Sequence, residues 1–269
     1  MSLEKFHKEI KSGQRFEFGK NWKKFLKTLS DERIRQAELS LKTMLALESL
    51  EGKTFLDVGS GSGLFSLAAK NLGAEVFSFD FDESSVWCTK ELKKKFYDAD
   101  ESWIVMQGSV LDCEFLEKLG RFDYVYSWGV LHHTGDMWRA LNNVVDLVQP
   151  DGFLFIALYN NQKFASRYWT FVKRTYSRYR TLRPFWILLH FLYPTIPSII
   201  LKYLQGRKLP RGMSVWYDLL DWLGGYPFEV STPKEIFDFY NKKGFILTQL
   251  QTVGGKLGCN EFVFRRIRS

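Results

Sequence analysis

Hydrophobic residues follow two different spacings along this chain. Short apolar runs typical of buried strands occur at five places, which are 53–58, 75–79, 103–107, 122–128 and 152–158. Segments with apolar residues three and four positions apart, typical of helices, follow three of these runs and end near Leu72, Tyr97 and Leu147. Because strands and helices alternate, the pattern predicts a parallel sheet covered by helices.

Both ends of the chain add elements to this pattern. Near the N-terminus, a helix is predicted whose apolar face holds Ile34, Ala37, Leu41, Met44 and Leu45. Near the C-terminus, a helix that Ser231 or Thr232 can cap precedes two strands, and these three elements are 233–243, 245–252 and 261–265. Three glycines separate the two strands, so we expect the strands to pair as a hairpin.

These patterns divide the chain into four parts. Residues 1–50 are predicted to form a helical cover, and 51–160 a core that contains the alternating strands. The alternation breaks after Asn160, because 161–230 holds helical, aromatic and basic sequence where a single helix is expected. We interpret this part as an insertion of several helices that forms a lid for the substrate. Residues 231–269 then complete the core sheet.

The first predicted strand leads into a glycine-rich turn, Leu-Asp-Val-Gly-Ser-Gly-Ser-Gly at 56–63, and Asp80 ends the second strand. A strand, a glycine turn, a helix and an acid after the next strand are typical of a nucleoside-cofactor site. The third glycine comes one residue earlier than in the dinucleotide fingerprint, and the carboxylate of Asp57, expected at the mouth of the turn, would repel a pyrophosphate. The same carboxylate suits a cofactor that carries an ammonium and a sulfonium. The turn therefore predicts S-adenosylmethionine.

These residues resemble the class I S-adenosylmethionine-dependent methyltransferases. The resemblance rests on the glycine turn, on Asp80, on the segment 122–133 that ends in Leu-His-His, and on Gln-Pro-Asp-Gly at 149–152. It covers roughly residues 50–160, in the order found in that family. It implies a Rossmann-like α/β methyltransferase fold, with a seven-stranded, mostly parallel sheet whose last strand runs antiparallel.

The resemblance also implies which residues hold the cofactor. The residues around its methionine part would be Asp57, Gly59, Gly61 and Gly63. Asp80 would accept hydrogen bonds from both ribose hydroxyls, with Asp82 as the alternative acid, and Phe81 would cover one face of the adenine. Many relatives have an acid at the position of Ser109. Here the adenine contact is assigned instead to the Ser109 hydroxyl or the Val110 backbone.

Two of the four histidines, His132 and His133, follow the fourth strand, at the edge where the substrate of such a sheet binds. Imidazole titrates near neutral pH, so either is a candidate general base for a hydroxyl acceptor; packing of the loop is the alternative role. Trp128, at the end of the strand, could border the cofactor or acceptor, or belong to the core. The segment 18–22, which ends in Trp22, could close over the methionine end of the cofactor, or simply begin a helix.

The insertion supplies the candidates for acceptor binding. Tyr168 and Tyr176 belong to a series of aromatic residues at helical spacing between arginines and lysines. Such a stripe could contact lipid headgroups, a phosphate or RNA bases, or it could be core with a solvated rim. Acids beside aromatic residues follow, and they could line a pocket for a polar acceptor or pair with the basic stripe. This second group is Trp216, Asp218, Asp221 and Trp222.

Composition and charge limit the classes of binding partner but do not identify one. The net charge of +8 over 269 residues allows an anionic partner such as RNA, a phospholipid surface or a phosphorylated substrate. The three cysteines have no C-x-x-C pair, so neither a metal site nor a disulfide framework is predicted. The apolar run 185–193 is shorter than the ~20 residues that span a bilayer. We expect a cytoplasmic protein that the insertion could bring to the membrane surface, in an oligomeric state that the sequence leaves open.

Three functional hypotheses follow. The first is a methyltransferase that transfers the methyl group by in-line displacement to a small-molecule acceptor, or to one linked to a lipid or sugar, with oxygen as the atom methylated. The second is a methyltransferase for bases of tRNA or another RNA, although the sequence shows no separate RNA-binding module and no Asn-Pro-Pro-Tyr motif. The third is a protein that binds S-adenosylmethionine without catalysis.

Overall fold

Seven strands form one sheet in the computed structural model, which describes residues 8–195 and 215–268. They are β1 (Thr54–Val58), β2 (Glu75–Asp80), β3 (Trp103–Gln107), β4 (Phe122–Trp128), β5 (Val148–Tyr159), β6 (Phe245–Gln251) and β7 (Cys259–Arg266). Their order is β3-β2-β1-β4-β5-β7-β6. Strands β1 to β5 pair in parallel, and β7 runs antiparallel to both β5 and β6. The predicted sheet with an antiparallel last strand is confirmed.

The helices lie between and beside these strands. They are α1 (Gly19–Lys27), α2 (Asp31–Leu45), α3 (Leu64–Asn71), α4 (Glu83–Tyr97), α5 (Cys113–Leu119), α6 (Met137–Asn143), α7 (Phe164–Arg178), α8 (Arg183–His190), α9 (Val215–Gly224) and α10 (Pro233–Asn241). At the start of α10, Thr232 and Glu235 form a reciprocal capping box, which confirms Thr232 as the cap. None of the described helices is long and apolar enough to cross a membrane.

Apolar side chains cover both faces of the sheet. On one face, the five apolar residues predicted for α2 are all buried, and they pack with Phe55, Leu67 and Val263. On the other face, α6 and α10 pack against the sheet through Leu141 and Ile236. Each large apolar side chain buried in this way contributes roughly 1.5–3 kcal/mol. The two layers of helices leave the carboxyl ends of the parallel strands at one edge of the sheet.

Two predicted boundaries were wrong around β5. The strand begins at Val148 instead of Gly152, and α6 ends at Asn143 instead of Leu147. The reason is a bulge, because Phe122 pairs with Val148 whereas Tyr124 pairs with Phe153. Asp151 in this bulge has a φ of +63°. Turn-forming residues therefore lie inside the strand and do not precede it.

One helix, α5, had no counterpart among the predicted elements. It has only seven residues, which is too short for apolar residues to repeat at helical spacing. A signal is nevertheless present in its cap, since the side chain of Asp112 accepts a hydrogen bond from the amide of Phe115 at 3.2 Å.

The chain divides into two compact units. The first contains Glu17–Gln162 and Glu229–Ser269 and includes the whole sheet, and the second contains Ser2–Phe16 and Lys163–Phe228. In the described part of the second unit, α7, α8 and α9 pack around a small core of Val172, Tyr176, Trp186, Leu219 and Leu223. Helices α7 and α8 are antiparallel, because Tyr168 contacts His190 and Phe171 contacts Trp186.

Candidate functional site

The glycine turn after β1 is anchored to the end of β2. The amides of Gly59 and Ser60 donate to the carbonyl oxygen of Phe79, at 2.8 and 3.0 Å. The amide of Gly61 donates to Oδ2 of Asp80 at 2.9 Å. The turn and the acid that the sequence predicts for a nucleoside site are therefore joined directly.

Two glycines of this turn are required for different reasons. Gly61 has a φ of +56°, and a Cβ there would lie 3.1 Å from the indole of Trp22. Gly63, with a φ of +81°, begins α3 where a Cβ would come within 2.9 Å of the Cα of Thr89 in α4. The first glycine therefore allows the indole of Trp22 to pack against the turn, and the second allows two helices to approach closely.

Asp80 keeps acceptor capacity after it has bound the turn. Its Oδ1 accepts from the amide of Asp82 at 2.9 Å, in addition to the bond from Gly61 to Oδ2. The backbone of Phe81 also hydrogen-bonds this carboxylate, and since a carboxylate has about four lone-pair sites, acceptor capacity remains for a ribose hydroxyl. Burial raises the pKa of Asp80 to about 6, although the backbone hydrogen bonds oppose this shift. The alternative acid, Asp82, caps α4 through the amide of Ser84 and accepts from the amide of Gly19.

Asp57 lies beneath the turn and not at its mouth, which corrects the position inferred from the sequence. The residue is 2% exposed, because β1 is an inner strand of the sheet and the Asp57 side chain points towards Ser66 of α3. Three donors form a chain that ends on it, from Trp103 Nε1 to Ser78 Oγ (2.9 Å), to Ser66 Oγ (2.8 Å), to Asp57 Oδ2 (2.5 Å). Burial raises the pKa of Asp57 to about 7, although the Ser66 hydroxyl opposes the shift.

Helix α1 and the residue before it contact two parts of the candidate site. The indole of Trp22 faces Gly61, because a Cβ on that glycine would lie 3.1 Å from the indole. The ring of Phe18 lies 4.9 Å from the ring of His133, in the loop after β4. The segment 18–22 therefore connects the glycine turn with the two histidines.

The two histidines after β4 differ in how far solvent reaches them. His132 is 0% exposed, and its Nδ1 accepts from the amide of Tyr159 at 3.4 Å. His133 is only half-buried, and its ring lies between Phe18 and Tyr159, with 5.5 Å between the His133 and Tyr159 centroids. Of the two imidazoles, only that of His133 is open to solvent.

Three residues of this region were not among the predicted site residues. Tyr159 ends β5, and its ring lies 4.1 Å from that of His132. Glu261 of β7 accepts from the indole of Trp128 at 3.1 Å. Glu229 accepts from the amide of Met137 at 3.1 Å. Tyr159 could have been found, since it follows a predicted strand at the carboxyl edge, whereas no local pattern indicates the contact of Glu229.

The residues predicted to contact adenine form hydrogen bonds or packing contacts with nearby residues. The hydroxyl of Ser109 accepts from the amide two residues later at 3.2 Å. Val110 belongs to the core, and its carbonyl oxygen accepts from Asn143 Nδ2 at 2.8 Å. Phe81 follows β2 directly and is half-buried. All three lie near the ends of β2 and β3, beside Asp80.

The acceptor candidates of the insertion belong to the second unit. The Tyr168 hydroxyl contacts His190 Nε2 at 3.0 Å, and Tyr176 is buried in the core of that unit. The ammonium of Lys173 lies 4.1 Å from the ring centroid of Trp222, and the lysine is fully buried. The side chains of Trp216, Asp218 and Asp221, which α9 carries, lie outside the described residues.

The donors and acceptors around the glycine turn fit the predicted cofactor. The turn lies at the carboxyl end of β1, and its glycines leave no side chain between Gly61 and the indole above it. Asp80 provides a carboxylate at the end of β2, and Phe81 follows it with an aromatic ring. A nucleoside with a cationic amino-acid tail could bind there, with Asp80 contacting its ribose and Phe81 contacting its base.

A family model described as a methyltransferase domain matches residues 31–190, which is more than half of the chain. The chain belongs to the S-adenosylmethionine-dependent methyltransferases. S-adenosylmethionine is the cofactor of this methyltransferase, and the predicted family and cofactor are confirmed.

Curated relatives each match about half of this chain or less. The ubiquinone biosynthesis O-methyltransferase of Coxiella burnetii is 33% identical over 129 residues, which are 48% of this chain and 52% of the relative. The ribosomal protein L11 methyltransferase of Oceanobacillus iheyensis is 33% identical over 122 residues, 40% of this chain and 38% of the relative. The chain thus spans about half or less of the curated relatives it matches.

Solved structures share the fold of this methyltransferase at low sequence identity. The magnesium protoporphyrin IX methyltransferase of Synechocystis, with bound S-adenosylhomocysteine, has a TM-score of 0.52 at 14% identity, over 87% of this chain and 83% of that chain. A methyltransferase from Aquifex aeolicus has the same TM-score and identity, over 93% of this chain and 98% of that chain.

Proposed function

We propose that the protein methylates an oxygen atom of a small-molecule acceptor. The observation that carries this proposal is the half-buried imidazole of His133, held between two aromatic rings at the sheet edge that also carries the glycine turn. The similarity of half of the chain to an O-methyltransferase of ubiquinone biosynthesis supports it. A hydroxyl acceptor needs a base, whereas many amine acceptors do not.

In this proposal each residue has a separate task. The cofactor supplies an electrophilic methyl group on a sulfonium. Asp80 holds the ribose, and the glycine turn above Asp57 holds the amino-acid tail, with Trp22 over the turn. His133 removes the acceptor proton at a ring nitrogen, and Phe18 and Tyr159 fix the plane of its imidazole.

Titration calorimetry with S-adenosylhomocysteine tests the cofactor residues. Asp80→Asn keeps one acceptor oxygen but loses the charge, so we expect affinity to fall by about tenfold or more, in line with 1.5–3 kcal/mol for hydrogen bonds to a charged group. Asp82→Asn is the matched control, because Asp82 caps α4. Equal losses in both variants would contradict the assignment of the ribose to Asp80.

Incubation with methyl-labelled S-adenosylmethionine tests the acceptor class. The purified protein is added to separate extracts of small molecules, RNA and protein, and the label in each is counted. We expect label in the small-molecule extract. Label in RNA would favour the base-methyltransferase hypothesis, label in protein would favour a protein substrate, and no label in any extract would favour a non-catalytic binding protein.

A further inference from the structure

The outward side of α8 and of the turn that follows it is apolar and exposed. The exposed residues lie three and four positions apart, as one stripe, and they are Phe185, Leu188, Leu189, Leu192 and Tyr193. Leu188 is 59% exposed and Leu192 is 55% exposed. The segment 184–193 contains no Lys, Arg, Asp or Glu. A contiguous apolar surface of this kind marks an interaction site more often than a scattered exposed leucine does.

The neighbouring helix α7 extends this surface and adds positive charge. Phe164 and Phe171 are exposed on α7, and Phe171 packs against Trp186 beside the α8 stripe. Exposed arginines share the outward side of α7 with these rings, and they are Arg167, Arg174 and Arg178. We call the exposed apolar residues of α7 and α8, with these arginines, the basic apolar face.

Most of the insertion carries the same positive charge. Residues 163–217 include eleven Lys and Arg and no Asp or Glu, although the net charge of the chain is only +8. The remainder of the chain is therefore slightly negative, and the excess of positive charge lies in the segment that contains the basic apolar face. An anionic surface that accepts apolar side chains complements it.

We propose that the basic apolar face docks on the surface of an anionic lipid bilayer. Its leucines and phenylalanines would enter the boundary between headgroups and acyl chains, and its arginines would contact phosphate groups. Aliphatic residues such as Leu188 and Leu192 gain nothing from a nucleic acid, which stacks on aromatic rings, so the stripe favours lipid over RNA. This partner goes beyond the proposed reaction, because docking requires no particular acceptor.

Co-sedimentation with vesicles tests the proposal on the full chain. We expect binding to vesicles of phosphatidylcholine with phosphatidylglycerol, weaker binding to phosphatidylcholine alone, and loss of binding at high salt. The double variant Leu188→Glu, Leu192→Glu should bind at least tenfold more weakly. Arg174→Gln should lose about fivefold, since a basic residue near an anionic surface contributes about 1 kcal/mol.

Leu39→Glu is the matched control, because Leu39 is 56% exposed on α2, in the other unit. Circular dichroism verifies that each variant is folded.

The proposal is overturned if wild type does not bind anionic vesicles, if the double variant binds them as well as Leu39→Glu does, or if RNA displaces the vesicles. It is also overturned if the double variant turns a dimer into a monomer, which would assign the face to a second copy. Methylation of a water-soluble acceptor by the double variant at the wild-type rate would show that the reaction is independent of docking.

Discussion

At the scale of single residues, two buried carboxylates define the cofactor end of the site. Asp57 and Asp80 both have raised pKa values, about 7 and about 6, mainly because burial penalises the charged form. Each accepts hydrogen bonds, Asp57 from the hydroxyl of Ser66 and Asp80 from backbone amides that include those of Gly61 and Asp82. A cationic cofactor bound at the turn would favour the charged forms of both groups and lower their pKa values.

The pKa of Asp57 predicts how stability depends on pH. Between about pH 4 and pH 7 the folded state binds a proton that the unfolded state has released, so the free energy of unfolding falls as pH rises through this window. Asp57→Asn removes this dependence and keeps an acceptor for Ser66. We expect the stability of the variant relative to wild type to rise by on the order of 3 kcal/mol between pH 5 and pH 8.

Urea unfolding at both pH values measures the effect. Some pH dependence from Asp80 should remain in the variant, because its pKa is also raised. Asp146→Asn, which changes an exposed carboxyl, is the control and should leave the wild-type pH dependence in place. Parallel pH dependences for wild type and Asp57→Asn would contradict the buried carboxylate.

A second prediction at this scale separates the two histidines. His133→Gln should lower kcat by about 10²–10⁴-fold, the usual contribution of a general base, with little change in affinity for S-adenosylhomocysteine. His132→Gln should act mainly on stability, because that ring is fully buried. Steady-state rates and calorimetry on both variants test this. If His132→Gln loses more kcat at unchanged stability, the assignment of the base is reversed.

At the scale of elements, the loop after β4 is held by a residue far away in sequence. The amide of Glu229 donates to the carbonyl oxygen of His132 at 3.0 Å, and its carboxylate accepts from the amide of Met137 at the start of α6. The side chain of Asp136 does not cap this helix, so Glu229 takes over that task. It thereby fixes both ends of the segment that carries the histidines.

Removing the hydrogen bond between the Glu229 carboxylate and the Met137 amide should lower stability. Glu229→Ala should lower the free energy of unfolding by about 1 kcal/mol, as the loss of a helix cap does, and should speed hydrogen exchange at the amide of Met137. Glu229→Gln keeps an acceptor oxygen and should recover most of both. If the alanine variant keeps wild-type protection at Met137, another group caps α6.

The sequence predicted the elements better than it predicted the contacts between them. Periodicity located β3 and β4 at their observed bounds, because apolar residues predominate in both and turn residues flank them. It missed α5, which is too short to show a period, and the bulge in β5, which depends on the register with β4. It also missed Glu229, since its partner Met137 is 92 residues away.

At the scale of the whole molecule, the two compact units carry different chemistry. The first contains the sheet, the glycine turn and the histidines, and the second contains the helices of the insertion. The positive charge is concentrated in the segment 163–217, although net charge alone gives no sign of this division. The methyl donor, S-adenosylmethionine, could be predicted from a short motif. The methyl acceptor depends on side chains that no motif specifies.

Identifying the atom that receives the methyl group is the most direct test of the proposed O-methylation. The protein is incubated with S-adenosylmethionine whose methyl carbon is isotopically labelled, and the labelled product is isolated and examined by carbon NMR. The chemical shift of the methyl carbon distinguishes attachment to oxygen, nitrogen, sulfur and carbon. We predict a methyl ether or ester on a small molecule, formed by wild type and formed about 10²–10⁴-fold more slowly by His133→Gln. A methyl group on nitrogen, sulfur or carbon, or in a macromolecule, would contradict it.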